Sequence, residues 1–298
     1  MGFGRWAFLA AFAVLAPGGC GGDSAYVAEI DAWHAARVDR LRGEDGWLTL
    51  TGLHPLREGA NTVGSSEGAD VRLDGKAPAR TGVLEIAGGG IVFRAEPDAK
   101  VHVAGDDEKD VETIAMRTDM QDDTTVLAVG TLTFHVIDRG GLLLLRVKDR
   151  ESATRRDFKG IARFPVDEIW RVTARLAPHD PPRGVTMPNV LGRTSEEPSP
   201  GVLIFELAGE ICSLTPVGKP DEDLFIVFAD ATSGAETYGG GRFLSTEAPA
   251  ADGTVVLDFN KAVIPPCAFT PYATCPLPPA GNTLGVGVRA GEKTWGDH

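Results

Sequence analysis

The chain has 298 residues, carries a formal net charge of -13 at pH 7 and is 43% hydrophobic. That length and composition support a sizeable core, in one large β domain or two smaller ones. Nucleic-acid affinity comes from Lys and Arg side chains that neutralise phosphates, so the acidic balance excludes nucleic acid as an expected partner. It also argues against attachment to anionic lipid through a basic surface.

The first residues have the composition of an export signal. Arg5 is followed by an apolar run over residues 6–16. These eleven residues are too few to cross a bilayer core, because a spanning helix needs about 20 residues. We therefore predict a signal peptide over residues 1–19.

A cysteine follows this predicted signal peptide directly. The small residues before Cys20 resemble the lipobox of bacterial lipoproteins, in which the cysteine is lipidated and becomes the new N-terminus. Pro17 stands where a lipobox usually has Leu, and cleavage near Gly19 to give a soluble periplasmic or secreted protein is the alternative. We predict a lipoprotein of the bacterial cell envelope, held to the membrane by a lipid on Cys20.

One long helix is predicted near the N-terminus. Apolar side chains recur with helical spacing over residues 26–42. Ser24 is placed to cap the start of this helix, and Gly43 is placed to end it. We assign residues 20–45 to a linker and this helix.

Beyond the helix the apolar period changes to two, which is typical of half-buried β-strands. The alternating segments are residues 47–51, 83–86, 91–94, 101–103 and 131–136. More continuous apolar runs at 142–147 and 224–228 predict buried strands. We predict a mainly β fold of sandwich-like or barrel-like units of short antiparallel strands, preceded by the one N-terminal helix.

A charged stretch over residues 148–164 has little strand signal and suggests a boundary. It would divide the body into an N-terminal β unit, residues 46–148, and a C-terminal β unit, residues 149–298. One continuous sheet system is equally compatible with the pattern. Within the second half, Pro-rich and charged residues predict loops at 180–184 and 196–201.

The cysteines agree with an oxidising compartment. Cys267 and Cys275 lie in a proline-rich segment, and we predict a disulfide between them that closes a short rigid loop. A zinc site is the weaker alternative, because their spacing is not the short Cys-x2-4-Cys type and no His lies nearby. Cys212 is predicted to be a buried thiol, and we predict no metal or cofactor.

A polar, loop-like segment after residue 228 is the richest cluster of chemical groups. It contains Asp230, Glu236, Tyr238 and Arg242, with three consecutive glycines that would let backbone approach a ligand. We predict that these four residues bind a ligand, with Arg242 as a clamp for a carboxylate or phosphate. The alternative is a hairpin in which Asp230 and Thr232 close a turn and Arg242 pairs with Glu236 on the surface.

Two further candidates alternate with apolar neighbours. Asp258 and Asn260 are two residues apart, which places both on one face of a strand. Beside Glu236 or Asp230, the Asp258 carboxylate would form a pair suited to acid–base catalysis. The alternative is that Asp258 and Asn260 tie down the loop 265–275 through backbone hydrogen bonds.

The segments 56–65 and 69–73 resemble the opening strands of a forkhead-associated domain. Phosphothreonine binding in that family requires an Arg where this chain has Ser65, and a Ser-Arg-x-x-His motif that residues 78–82 do not supply. We therefore expect a similar strand–turn–strand shape without phosphopeptide binding.

A second resemblance covers nearly all of the chain after the signal peptide. Its motifs are Trp47-Leu48-Thr49-Leu50-Thr51-Gly52-Leu53, Phe158-Lys159-Gly160, Phe164-Pro165, residues 230–242 and residues 258–293. They resemble the bacterial family catalogued as domain of unknown function 1684. That resemblance implies no known substrate, cofactor or catalytic residue.

Two hypotheses of function follow from these residues. The first is an envelope protein that binds a small polar or anionic ligand, with Tyr238 and Arg242 as the main contacts. The second is a carboxylate-dependent hydrolase of the cell envelope that uses Asp230, Glu236 or Asp258 as acid and base. The predicted partners are the membrane, through the lipid on Cys20, and a small molecule.

Overall fold

β-strands are the main secondary structure and pair mostly in antiparallel fashion, as the alternating sequence pattern predicts. The structure is a computed structural model that describes residues 21–73 and 76–296. The predicted signal peptide, residues 1–19, and the predicted lipidation site Cys20 lie outside the described residues. Over the described ranges every sheet is open, so the sandwich-like prediction holds and the barrel-like one does not.

The predicted N-terminal helix is confirmed. Helix α1 (Gly21–Leu41) buries Tyr26 and Ile30 along one side, in keeping with the helical spacing of its apolar residues. Ser24 lies inside the helix rather than at its start. No helix in the described part of the chain is both long enough and apolar enough to cross a membrane.

The first half of the chain folds into two sheets. Its strands are β1 (Leu50–Pro55), β2 (Gly59–Gly64), β3 (Val71–Arg72), β4 (Gly82–Ala87), β5 (Gly90–Ala95), β6 (His102–Val103), β7 (Asp106–Asp110), β8 (Thr113–Ala115), β9 (Leu127–Val129), β10 (Leu132–Arg139) and β11 (Leu142–Asp149). One sheet has the order β1-β11-β10-β9-β6-β7 and the other β3-β2-β4-β5-β8.

These two sheets pack face to face around one apolar core. Phe93 of β5 and Phe134 of β10 meet across it with ring centroids 5.5 Å apart. The strand predicted to begin at Trp47 is corrected, because Trp47–Thr49 is a short 3-10 helix. Thr49 donates from both its backbone N and its Oγ1 to Gly46 O, at 3.1 and 2.6 Å, and this local turn delays the strand to Leu50.

The second half begins with the short helix α2 (Ala153–Asp157) and then forms two further sheets. Its strands are β12 (Arg171–Pro188), β13 (Thr194–Leu207), β14 (Glu210–Leu214), β15 (Leu224–Phe228), β16 (Arg242–Thr246) and β17 (Thr254–Asp258). The strand order is β14-β13-β12-β17 in one sheet and β15-β16 in the other. Phe205, Phe228 and Phe259 pack at the centre of their shared core.

The long β12–β13 hairpin corrects the loops predicted at 180–184 and 196–201. Residues 183–188 pair in register with 194–199, beyond an irregularity between Pro178 and Arg183. β17 pairs only with the first five residues of β12, Arg171 to Arg175. Proline cannot donate to a ladder but is tolerated where a strand has no second neighbour, so the far end of the hairpin accommodates its prolines.

Apolar contacts join the two halves around the C-terminal segment. Leu41 at the end of α1 and Leu48 pack with Phe158 and Phe269 in one buried cluster. Leu50 at the start of β1 packs with the segment that contains Cys275 in another. The C-terminal segment therefore contacts both the N-terminal helix and the first sheet.

Candidate functional site

Asp230 and Arg242 form a fully buried ion pair. Arg242 opens β16, and its guanidinium Nη2 donates to Asp230 Oδ2 at 2.7 Å and to Val288 O at 2.8 Å. Nη1 donates to Ala290 O, and the Phe228 ring centroid lies 5.3 Å from the guanidinium carbon. Because the side chain has 0% exposure, Arg242 is not placed to clamp a ligand from solution.

The second oxygen of Asp230 is also occupied by protein groups. Asp230 Oδ1 accepts from Thr232 N at 2.8 Å, from Thr232 Oγ1 at 2.7 Å and from Val288 N at 3.1 Å. Thr232 Oγ1 lies 2.9 Å from Thr237 Oγ1. Asp230 and Thr232 therefore close a turn between β15 and β16, and the carboxylate holds the following segment in place.

Glu236 and Tyr238 lie outside this buried pair. Glu236 accepts from Arg289 Nε at 2.9 Å, so the predicted pairing of Glu236 with Arg242 is wrong. The Arg289 guanidinium lowers the pKa of Glu236. Tyr238 is half-buried against the cluster that contains Leu41, and burial raises the pKa of its hydroxyl.

Glu292 is a buried carboxylate that the sequence analysis did not single out. It is 1% exposed, and it accepts from Ile264 N at 2.8 Å and from Arg37 Nε at 3.4 Å. Burial raises the pKa of Glu292, and the nearby Arg37 and Arg242 guanidinium groups oppose that rise. The buried charges thus alternate in sign from Arg37 through Glu292 and Arg242 to Asp230.

Asp258 and Asn260 anchor helix α1. Tyr26 Oη donates to Asp258 Oδ1 at 2.8 Å, and Asn260 Nδ2 donates to Tyr26 Oη at 2.9 Å. Asn260 Nδ2 also donates to Asp167 O at 2.9 Å. These contacts replace the predicted tie to the loop 265–275. Burial and the hydrogen bond to Asp258 raise the pKa of Tyr26 well above its ordinary value.

The three carboxylates predicted to act as acid and base have separate partners. Asp230 is bound by Arg242, Glu236 by Arg289 and Asp258 by the Tyr26 hydroxyl. A pair that exchanges protons with one substrate must lie within hydrogen-bond reach of it. The described residues also contain no group of three or more His, Cys, Asp or Glu side chains that could hold a metal ion.

Cys267 and Cys275 lie at disulfide distance, as predicted, with their Cα atoms 6.1 Å apart. Each backbone N–H donates to the other residue's sulfur, at 3.2 and 3.3 Å. Cys212 is a buried free thiol in β14, and burial raises its pKa. The proline-rich segment is therefore one closed loop, which we name the disulfide loop (residues 267–275).

The disulfide loop makes hydrogen bonds to both halves of the molecule. Cys275 O accepts from Val190 N at 3.1 Å, which ties the loop to the turn between β12 and β13. Thr274 Oγ1 accepts from Arg139 Nε at 3.0 Å and from Arg146 Nη2 at 3.1 Å. A loop of the C-terminal half thus fixes two arginines of the first sheet.

A cleft of about 430 Å³ lies beside this junction. Its walls are the end of β10, the β12–β13 turn and the disulfide loop. The lining includes polar Asp119, Arg139, Arg193 and Thr274 together with apolar Met187 and Phe225. A concave site with an apolar lining and a few convergent polar groups is the usual form of a small-molecule site.

The cations of the cleft are only partly occupied by protein acceptors. Arg139 Nη1 pairs with Asp119 Oδ2 at 2.8 Å, and Arg139 is 22% exposed. Its Nη2 makes no hydrogen bond to any residue in 21–73 or 76–296. Arg193 is exposed and forms no ion pair within those same ranges. Both guanidinium groups keep donors that a ligand anion could accept from.

A further guanidinium lies behind Arg139. Arg146 is 5% exposed, and its Nε is buried without a hydrogen-bond partner in the described chain. Burial and the neighbouring Arg139 lower the pKa of Arg146 to about 10. The Arg146 side chain stays charged at neutral pH, and its positive charge adds to that of the cleft.

The residues of this cleft are not predicted from the sequence. Arg139, Arg193 and Thr274 are isolated polar residues that are more than fifty positions apart in the chain. Only the register of β10 and the position of the disulfide loop bring Arg139 and Thr274 together. The one local signal was the Arg139-Gly140-Gly141 turn at the end of a predicted strand.

Comparisons with known proteins identify a family of unknown function and solved structures that are similar in part. A family model described as "Protein of unknown function (DUF1684)" matches residues 156–293. This match includes the predicted motifs from Phe158 onward and leaves out the one at 47–53. No curated protein matches the chain.

Two solved structures are similar in part. An uncharacterized protein of Haloarcula marismortui, solved by solution NMR, is 35% identical over 48% of this chain and 81% of its own, with a TM-score of 0.41. A forkhead-associated domain studied for phosphothreonine-dependent interactions is 18% identical over 32% of this chain and 92% of its own, with a TM-score of 0.22. Both TM-scores lie below 0.5, and we infer neither fold nor function from these two structures.

Proposed function

We propose that this chain, which belongs to the DUF1684 family of unknown function, binds a small polar ligand. The ligand carries an anionic group and lies in the cleft beside the disulfide loop. The observation that carries this proposal is the pair of cations that line the cleft with unoccupied donors. Arg139 is positioned by Asp119 and Thr274, and Arg193 is exposed at the β12–β13 turn.

The chemistry of the lining defines the class of ligand. Guanidinium groups bind carboxylates through paired N–H donors. Met187 and Phe225 supply apolar surface beside them. Asp119, Asp138 and Glu197 place three carboxylates in the same lining, which also suits a ligand with an amino group. The volume of about 430 Å³ fits a small molecule rather than a polymer.

A thermal-shift screen tests this proposal. The panel contains amino acids, dicarboxylic acids and uronic acids at millimolar concentration, with uncharged sugars as negative controls. A ligand that binds the folded state raises the unfolding temperature as its concentration passes Kd. We expect one of the anionic classes to do so and Arg193→Ala to abolish the shift.

Arg72→Ala is the matched control, since Arg72 is an exposed arginine on β3 that does not line the cleft. It should keep the full shift. A panel in which no anion stabilises the wild-type chain contradicts the proposal. So does a stabilisation that Arg193→Ala leaves unchanged, because the ligand then binds elsewhere.

We further propose that the protein acts outside the cytoplasm, anchored by a lipid on Cys20. The leader composition over residues 1–19 and the small residues before Cys20 support this location. The disulfide-distance pair Cys267 and Cys275 is compatible with an oxidising compartment. Mass spectrometry of the mature N-terminus is the test, and an unlipidated N-terminus beyond Cys20 contradicts the anchor.

A further inference from the structure

A second depression lies where helix α1 ends and helix α2 begins. Its volume is about 540 Å³. The residues that line it are Arg42, Arg150, Glu151, Arg155, Arg156 and Phe158. Four of these six side chains are arginines, in a chain whose formal net charge is -13. None of the six lines the cleft beside the disulfide loop.

The positive charge of this depression is poorly compensated by the protein. Among the described residues, Arg42, Arg150 and Arg155 form no ion pair. Arg156 pairs with Asp157 at 3.3 Å, and both side chains are about two-thirds exposed. Such an exposed pair is weak in water, so Arg156 remains available to a stronger anion.

The one acidic residue of the lining already has a cation. Glu151 Oε2 lies 3.3 Å from Lys76 Nζ, and that ammonium group is also 2.8 Å from the buried Asp149 carboxylate. Lys76 is not part of the lining. Glu151 shares this one ammonium group with Asp149, so its carboxylate offsets at most one of the four arginine charges and the lining keeps an excess of positive charge.

One arginine is held in position before any ligand arrives. Arg155 Nε donates to Arg42 O at 2.7 Å, and Arg155 Nη1 donates to Arg150 O at 2.6 Å. The Arg42 guanidinium carbon lies 5.6 Å from the ring centroid of Phe158, which is buried beneath it. Fixing side chains in advance lowers the entropy lost on binding.

From this arrangement we infer that the depression binds a phosphoryl group. A phosphate carries more charge and more acceptor oxygens than a carboxylate, and arginine forks match its geometry. Arg155 supplies the fixed donor, and Arg42, Arg150 and Arg156 line the same depression. The phosphoryl group can belong to a free molecule or to the headgroup of an anionic lipid.

Calorimetric titration of the full chain with inorganic phosphate, at low ionic strength, is the first arm of the test. The variant Arg150→Ala/Arg156→Ala removes two lining donors and leaves Arg155 in place. Hydrogen bonds to charged groups are strong enough that each lost donor weakens binding by about tenfold or more. We expect wild-type binding and a loss of at least that size in the variant.

Two further variants serve as controls for this titration. Arg72→Ala/Arg183→Ala removes two exposed arginines outside the depression, and it should bind phosphate like the wild type. Arg150→Lys/Arg156→Lys keeps the charge and removes the planar forks, so we expect an intermediate affinity. If all variants unfold at the same temperature, the lower phosphate affinity does not come from a destabilised fold.

The second arm identifies the source of the phosphoryl group. Wild-type chain and Arg150→Ala/Arg156→Ala are sedimented with vesicles of phosphatidylglycerol or of phosphatidylcholine. Their N-terminal segments are identical, so any difference between them reports the depression. A difference on phosphatidylglycerol vesicles assigns a lipid headgroup, and phosphate binding without that difference assigns a free phosphoryl compound. If the variant equals the wild type in both arms, or if neither binds, the inference is wrong.

Discussion

Two arginine–aspartate pairs of this molecule have the same chemistry and opposite surroundings. Arg242 and Asp230 are 2.7 Å apart with side chains 0% exposed, whereas Arg139 and Asp119 are 2.8 Å apart with side chains 22% and 24% exposed. The first pair has most of its donors and acceptors occupied by neighbouring backbone. The second keeps donors that face a cleft. The comparison shows that burial decides whether a polar cluster stabilises the fold or is available to a ligand.

The largest expected effect tests the structural role of the buried pair. Arg242→Ala leaves the Asp230 carboxylate in the core without its cation. Removing one partner of a buried ion pair typically costs about 3–5 kcal/mol. We expect a loss of this size in the free energy of unfolding, measured by urea denaturation at neutral pH.

Arg289→Ala is the matched control for that measurement. Arg289 also pairs with an acidic residue, Glu236, but its side chain is 64% exposed. Surface pairs contribute little because water screens them, so the control should change stability far less. If the two variants were equally stable, Arg242 would not be structural and the comparison would fail.

The second prediction concerns the disulfide loop, which forms one wall of the cleft. Cys267→Ser/Cys275→Ser opens the disulfide loop, and a short cross-link of this kind contributes about 2–3 kcal/mol. Reductant should destabilise the wild type by a similar amount and leave the double variant unchanged. Because Thr274 positions Arg139, ligand stabilisation through the cleft should weaken as well. A double variant as stable as the wild type would show that hydrogen bonds and packing hold the loop without the cross-link.

The third prediction uses pH to probe the buried cluster. Burial raises the pKa of Glu292 above its ordinary value of 4.5. Between that value and the raised pKa, the folded state binds more protons than the unfolded state, so the free energy of unfolding falls as pH rises through this interval. Glu292→Gln removes the titrating carboxyl group. The fall in the free energy of unfolding, measured by denaturation from pH 4.5 upward, should therefore be shallower than in the wild type. If the free energy of unfolding of Glu292→Gln falls with pH as steeply as that of the wild type, the pKa of Glu292 is not raised.

The smallest expected effect belongs to the open cleft. Arg193→Ala removes an exposed side chain that makes no ion pair with the described residues. Thermal unfolding without ligand should therefore show no resolvable change. A clear destabilisation would indicate that Arg193 supports the fold. The cleft would then share a structural role with the buried Arg242–Asp230 pair.

The sequence predicted the fold better than it predicted the site. Strand periodicity located β4, β5 and β10 within a few residues, because alternating burial is a local property. A continuous apolar run located β11. Local turn chemistry was missed at Trp47–Thr49, where hydrogen bonds to Gly46 override the alternation. The long hairpin was missed because prolines suggest loops, and only the sheet order shows that its far end lacks a second neighbour.

The functional residues were harder to predict, because no short segment of sequence indicates which distant residues become neighbours in the fold. Residues 230–242 concentrate polar groups, yet Val288 and Ala290 supply the carbonyls that bury Arg242. Nothing near Arg242 in the sequence indicates those partners. Conversely, Arg139 and Thr274 are 135 positions apart and each looks ordinary in its own segment. The burial of charge distinguishes the Arg242–Asp230 pair from the cleft, and it arises only when the core is assembled.

The attachment of helix α1 sets an order for folding during synthesis. Tyr26 bonds to Asp258, which follows it by 232 residues, and Arg37 bonds to the still later Glu292. At roughly 5–20 residues per second the ribosome needs about 10–50 s to bridge such a gap. Throughout that time Tyr26 and Arg37 lack these late-synthesised partners. A chaperone or a translocation partner that covers this first helix would therefore act on the protein before these two contacts exist.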